Sequence, residues 1–163
     1  MEEQLRFLRC DGLQGIDPKD ADTVVIAGMG GETIIHILSQ APWTRNRNTL
    51  LLLQPMTKQE ELRRWLNENG YAQYAERLVR DKNYLYPVFT VCGGAQTALS
   101  VGEIYGGLDI EVDPLAGEYL AQRIRRLTQA VDGLLKGGSA DNARRAQELG
   151  EIITALKERR DAL

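Results

Sequence analysis

The sequence predicts an α/β protein in which a parallel sheet ends in an antiparallel pair and an α-helical hairpin follows. Three patterns carry that expectation. Two apolar runs, Thr23 to Ala27 and Thr49 to Gln54, each lead into a segment of helical periodicity, the alternation of a parallel sheet. Residues 71 to 94 read as two strands about the turn Asp81-Lys82-Asn83. After Asp113, apolar residues recur at four- and three-residue steps, the spacing of helices that pack along a seam. The change of pattern divides the chain into a sheet unit, residues 1–108, and a coiled-coil-like hairpin, residues 109–163.

Taken in order, Leu5 to Cys10 reads as a short strand and Asp11-Gly12-Leu13-Gln14-Gly15 as a turn. Thr23 to Ala27 is apolar on successive residues, as in a strand buried on both faces. It runs into Gly28-Met29-Gly30-Gly31, a glycine turn that opens a helix from about Glu32 to Ser39 and ends at Ala41-Pro42. Glycines at such a turn let backbone approach a ligand, and ligands of open α/β sheets sit at the carboxyl ends of strands. The pattern is neither a dinucleotide fingerprint nor a phosphate loop, and a plain strand-to-helix turn accounts for it equally well.

The second strand closes with Gln54-Pro55. Thr57 and Glu60 have capping-box spacing for the next helix, which Asn69-Gly70 terminates. Pro87 is expected at a bulge or an edge, where a missing N–H does no harm. The glycines between Gly93 and Gly107 predict irregular backbone. Asp113-Pro114 starts the first long helix, with Leu120, Ile124, Leu127, Val131 and Leu134 along its seam. Gly137-Gly138-Ser139 turns into a second helix from about Asn142 to Asp161, carrying Ala146, Leu149, Ile153 and Leu156.

Several of these residues together resemble a known family. The run Ile26 to Gly31, the Leu53-Gln54-Pro55 strand end, Leu62-Arg63-x-Trp65-Leu66 with Asn69-Gly70-Tyr71, and Tyr84-Leu85-Tyr86 are similar to the bacterial tRNA (adenine-N1) methyltransferases of the TrmK type. The likeness is close over residues 5–95 and holds in outline beyond. It implies a Rossmann-like methyltransferase sheet, S-adenosyl-L-methionine as cofactor and N1 of a tRNA adenine, of the position-22 type, as target. It also implies that Asp11 and Gly12 lie beside the cofactor's adenine, and that Ala27, Gly28, Met29, Gly30 and Gly31 line the cofactor. Met29 serves either to stack on a base or simply to pack.

Gln54 and Pro55 share the rim of Gly28–Gly31 if the sheet is parallel, and Gln54 either bonds a substrate base or caps the following loop. Arg63 and Arg126 belong to two basic groups suited to RNA. One comprises Arg45, Arg47, Lys58, Arg63 and Arg64 at the rim; the other lies on the hairpin. Arginines opposite an apolar seam are equally what a solvated helix shows. His36, the single histidine, reads as a surface or packing residue. No catalytic residue is assigned. The Asn-Pro-Pro-aromatic signature of amino-group methylases is missing, which disfavours exocyclic methylation.

The resembled family grips its cofactor with an acidic glycine loop after the first strand, and the sequence contains none. The resemblance therefore implies a C-terminal portion that is inactive alone, with a bare strand edge at Thr23–Ala27. Either Leu5–Cys10 or a second copy of the chain is expected to cover that edge. The alternative reading is a non-catalytic interaction or dimerisation module.

Composition narrows the field. The chain has 163 residues, 43% of them hydrophobic, and a formal charge of −3, so any nucleic acid must meet a local basic patch. Residues 114–163 carry nine Lys/Arg against seven Asp/Glu, whereas residues 1–113 carry eleven against sixteen. Cys10 and Cys92 are too far apart and too few for a metal or disulfide framework, and a reduced cytoplasm is expected. Neither a secretory leader nor a membrane span is expected.

Overall fold

A computed structural model describes residues 6–163. Four strands form one sheet: β1 (Thr23–Gly30), β2 (Leu50–Thr57), β3 (Tyr71–Asp81) and β4 (Tyr84–Gly93), in the spatial order β1-β2-β4-β3. β1 and β2 are parallel; β4 runs antiparallel to both of its neighbours. Helix α1 (Gly31–Ser39) joins β1 to β2, and α2 (Gln59–Glu68) joins β2 to β3. Both cover the same sheet face. Ile34 and Leu38 of α1, with Leu62 and Leu66 of α2, are buried against Val24, Ile26, Leu51, Leu53, Phe89 and Val91.

The other face is open. Val25, read as buried on both sides, is 65% exposed between buried Val24 and Ile26. Leu50 and Met56 of β2 and Val79 of β3 are exposed as well. No strand lies beside β1 on its outer edge among the described residues. The expected strand at Leu5–Cys10 does not form. Arg6–Cys10 have no regular structure and are exposed, while Leu5 lies outside the described residues.

Several ends differ from the sequence reading. Thr57 is taken into β2, so the predicted capping box is lost; α2 instead starts after Lys58 in the left-handed conformation, φ 57°. The glycine-rich connector holds an unpredicted short helix, α3 (Val101–Gly106), opened by a Ser100/Glu103 capping box. Asp113 does not cap the long helix α4 (Ala116–Lys136), which begins two residues after Pro114. Its carboxylate accepts the Leu115 and Leu78 amides at 2.9 Å each, fastening the helix entry to β3. Helix α5 (Ala140–Asp161) starts at a Ser139 cap, and the hairpin forms as expected.

The bulge in the β3–β4 ladder falls at Tyr74, between Gln73 and Ala75, not at Pro87. Pro87 lies beyond the end of the β2 ladder, whose last pair is Leu53 with Phe89, so one side of β4 is unpaired there. That satisfies proline's missing donor and lets β2 and β4 splay apart at the sheet's rim. A second apolar cluster holds the hairpin to the sheet. Leu78 and Leu85 meet Ile110, Tyr119, Leu120, Ile124 and Leu156.

Candidate functional site

The carboxyl ends of β1 and β2 form the rim to which the sequence points. Gly28 has φ +76°, and a Cβ placed there would meet nothing within 4 Å. Glycine is therefore required by conformation, and the backbone is left open to a flat group. Ala27, Gly28 and Met29 are all exposed. Gly31 serves a different purpose, since a Cβ there would lie 2.4 Å from the Lys58 carbonyl oxygen. It lets the start of α1 press against the β2–α2 junction.

Gln54 fixes the shape of the turn. Gly28 N–H donates to Gln54 Oε1 at 2.8 Å, and the side-chain amide N–H2 is aimed at Met56 Sδ, 3.5 Å away. Because a thioether is a weak acceptor, that amide retains donor capacity toward the open side of the sheet. The parallel register sets Ala27 beside Gln54 and Met29 beside Pro55, so these predicted residues do converge.

Asp11 and Gly12 do not join them. A Cβ on Gly12 would be 3.1 Å from Ile37, so the Asp11–Gly15 turn rests on the far half of α1, near His36. Ile37 is six residues along the helix from Gly31, roughly 9 Å at the α-helical rise.

Arg63, expected at an RNA-facing rim, is wholly buried. It pairs with Glu76 through Nη2–Oε1 at 2.5 Å and Nε–Oε2 at 3.1 Å, and donates to the Ile104 carbonyl at 2.8 Å. Its guanidinium also lies 4.8 Å from the Phe89 ring centre. Burial opposes its charge, but Glu76 together with the Tyr119 hydroxyl more than offsets this and holds Arg63 protonated. Amphipathic spacing could not reveal that an arginine on α2 turns inward to a carboxylate on β3.

Arg126 is exposed. It lines a polar notch with Arg125, Gln122 and Gln129 of α4 and with Asn83 and Tyr84 of the β3–β4 turn. A second hollow, mostly apolar, lies where β2 and β4 splay apart and is lined by Gln54, Met56, Val79, Asp81, Tyr86 and Val88. Apart from Gln54, the residues of this hollow were not singled out as a site by sequence. The readable signal was Tyr84-x-Tyr86, two aromatics that a strand places on one face. Among the described residues, no group of three or more His, Cys, Asp or Glu side chains is placed to hold a metal ion. No helix of the described residues is long and apolar enough to cross a membrane.

Comparison with known proteins agrees with this geometry. The family model for TrmK, tRNA (adenine(22)-N(1))-methyltransferase, matches residues 1–158. The Bacillus subtilis tRNA (adenine(22)-N(1))-methyltransferase is 27% identical over 161 residues, covering 91% of this chain and 66% of the relative. The crystal structure of B. subtilis TrmK superposes with a TM-score of 0.77 at 26% identity, covering 92% of this chain and 68% of that one. Streptococcus pneumoniae Sp1610 in complex with S-adenosyl-L-methionine gives 0.74 at 26% identity, covering 92% and 65%. The chain thus spans about two thirds of the length of the relatives it matches. With its strand order, its open glycine turn and a family match over nearly all its residues, the chain belongs to the TrmK family of tRNA (adenine(22)-N(1))-methyltransferases.

Proposed function

We propose that this protein serves S-adenosyl-L-methionine-dependent methylation of N1 of adenine 22 in tRNA, and that its described residues supply one wall of the reaction cleft. The observation that carries the reading is the exposed backbone at Ala27–Met29, held by Gln54 at the end of a parallel pair. Such a rim suits a nucleoside cofactor lying against the main chain. The cofactor, when bound, supplies an electrophilic methyl group; the protein aligns the base nitrogen with it and excludes water. Gln54 and Pro55 would position the base, and Gly28 to Gly31 the cofactor. Asp11 and Gly12 are assigned to the cofactor's adenine by the family resemblance, with their turn resting on Ile37. Arg63 acts in this reading as a structural residue, and Arg126 as a contact to RNA.

The sequence lacks an acidic glycine loop to clasp the other side of the cofactor, so the chain by itself is expected to bind cofactor weakly and to transfer no methyl groups. Calorimetric titration with S-adenosyl-L-homocysteine tests this. Micromolar binding by the chain alone would show that its own residues complete the site. A second reading, an interaction module, is favoured by the bare β1 edge and open sheet face. A stable protein partner together with indifference to tRNA would favour that reading.

A further inference from the structure

Two hollows of similar size, about 280 Å³ each, lie on either side of the β3–β4 hairpin tip and differ in chemistry. The one at the sheet rim is lined mainly by Met56, Val79, Tyr86 and Val88, with Gln54 and Asp81 as its polar groups. The one against α4 holds Arg125 and Arg126. Tyr86 lines the first and Tyr84 the second, and their rings are 6.3 Å apart between centroids, tilted by 38°. An aromatic ledge therefore joins an apolar slot to a cationic notch.

Three arginines of the hairpin, Arg125, Arg126 and Arg145, are exposed and in no ion pair among the described residues, and the first two share the notch. Arg123, Arg144, Arg159 and Arg160 are each in an ion pair, with Glu60, Asp141, Glu111 and Asp161. Unpaired guanidinium groups beside an exposed tyrosine suit the phosphate and base of an unstacked nucleotide. At the other end of the ledge, the anchored Gln54 amide offers a donor and Asp81 an acceptor, the complement of the N7/N6 edge of an adenine, which leaves the N1 lone pair free to attack the methyl group.

Building on the tRNA reading, we propose that these hollows form a single RNA track: the target purine leaves its stack to enter the slot beside Tyr86, its neighbour rests on Tyr84, and Arg125 and Arg126 hold the intervening phosphates. Extrusion exposes N1, which pairing or stacking within the RNA would shield from the methyl donor.

The test measures binding of the full chain to a tRNA transcript over a range of salt, with adenine or an abasic residue at position 22. The variants are R125A/R126A, Y84A and Y86L, the last keeping an apolar side chain so that the sheet stays folded. Melting curves matching wild type establish folding. R125A/R126A is expected to reduce the slope of log affinity against log salt by about two. Y84A is expected to weaken binding about tenfold. In wild type the abasic RNA is expected to bind about tenfold more weakly, a difference that Y86L should abolish. An unchanged salt slope in R125A/R126A, unaltered affinity in Y84A, or an abasic penalty that persists in Y86L overturns the track and leaves the tRNA reading standing. A wild-type chain indifferent to tRNA overturns both.

Discussion

Arg63 and Glu76 are both fully excluded from solvent, which is costly for two charges and tolerable only because their hydrogen bonds are nearly complete. Glu76 Oε2 also accepts the Leu108 amide at 3.1 Å and the Gln73 side chain at 2.8 Å. Removing one partner strands the other. R63M is expected to lower stability by about 3–5 kcal/mol, and the apolar pair R63M/E76L to recover most of it. Urea titration decides the point, and equal losses in the single and double variants would contradict this account. Glu60 gives a pH signature. Burial raises its pKa, but the Arg123 guanidinium, 2.8 Å away, outweighs that and leaves the carboxyl below its ordinary range. A depressed folded pKa stabilises above the unfolded value, and that contribution disappears as pH falls through the folded one. E60Q should therefore lose less stability than wild type on acidification; parallel urea midpoints at every pH would show the pair to be immaterial.

Among the elements, the glycine turn shows two glycines retained for opposite reasons. G28A is expected to cost about 1–2 kcal/mol, because alanine is strained at φ +76° but meets nothing. G31A is expected to cost more, because the new methyl lies 2.4 Å from backbone at Lys58, which cannot swing aside as a side chain can. Denaturation midpoints in the reverse order would undo this division. The sequence revealed that glycine was needed in this stretch, but which glycine faces open space depends on where β2 ends, a tertiary fact. The capping boxes make the same point. Thr57/Glu60 has suitable spacing but is overridden when β2 claims Thr57, whereas Ser100/Glu103 forms inside a stretch whose glycines suggested loop. Glycines at Gly102 and Gly106 instead allow close approach of Arg159 and Leu156 of α5, with a Cβ at either position falling 2.9 Å or less from those side chains.

For the whole molecule, the dominant fact is a four-stranded sheet covered by helices on one face and bare on the other. Val25, Leu52 and Thr90 lie side by side across three strands of the bare face, and Val25 is 65% exposed. Apolar surface continuous with an unpaired strand edge promotes association. Sedimentation is expected to show concentration-dependent self-association, reduced by V25K; a monomer at all accessible concentrations would show that the face is tolerated in water.

From the sequence alone came the α/β class, the parallel pair, the terminal antiparallel pair, the helical hairpin and the family, because each is written in local periodicity or in contiguous motifs. Val24 to Ile26 also carry, as an unbroken apolar run, the character of a strand meant for burial on both sides, although one side is open in this structure. Tertiary structure alone decided that Arg63 is a core residue, that the Asp11–Gly12 turn rests on α1, and that Tyr84, Tyr86 and Arg126 lie beside the strand ends. Those facts depend on contacts between residues far apart in the chain, and a side chain's partner across such a gap leaves no mark on the spacing of its neighbours.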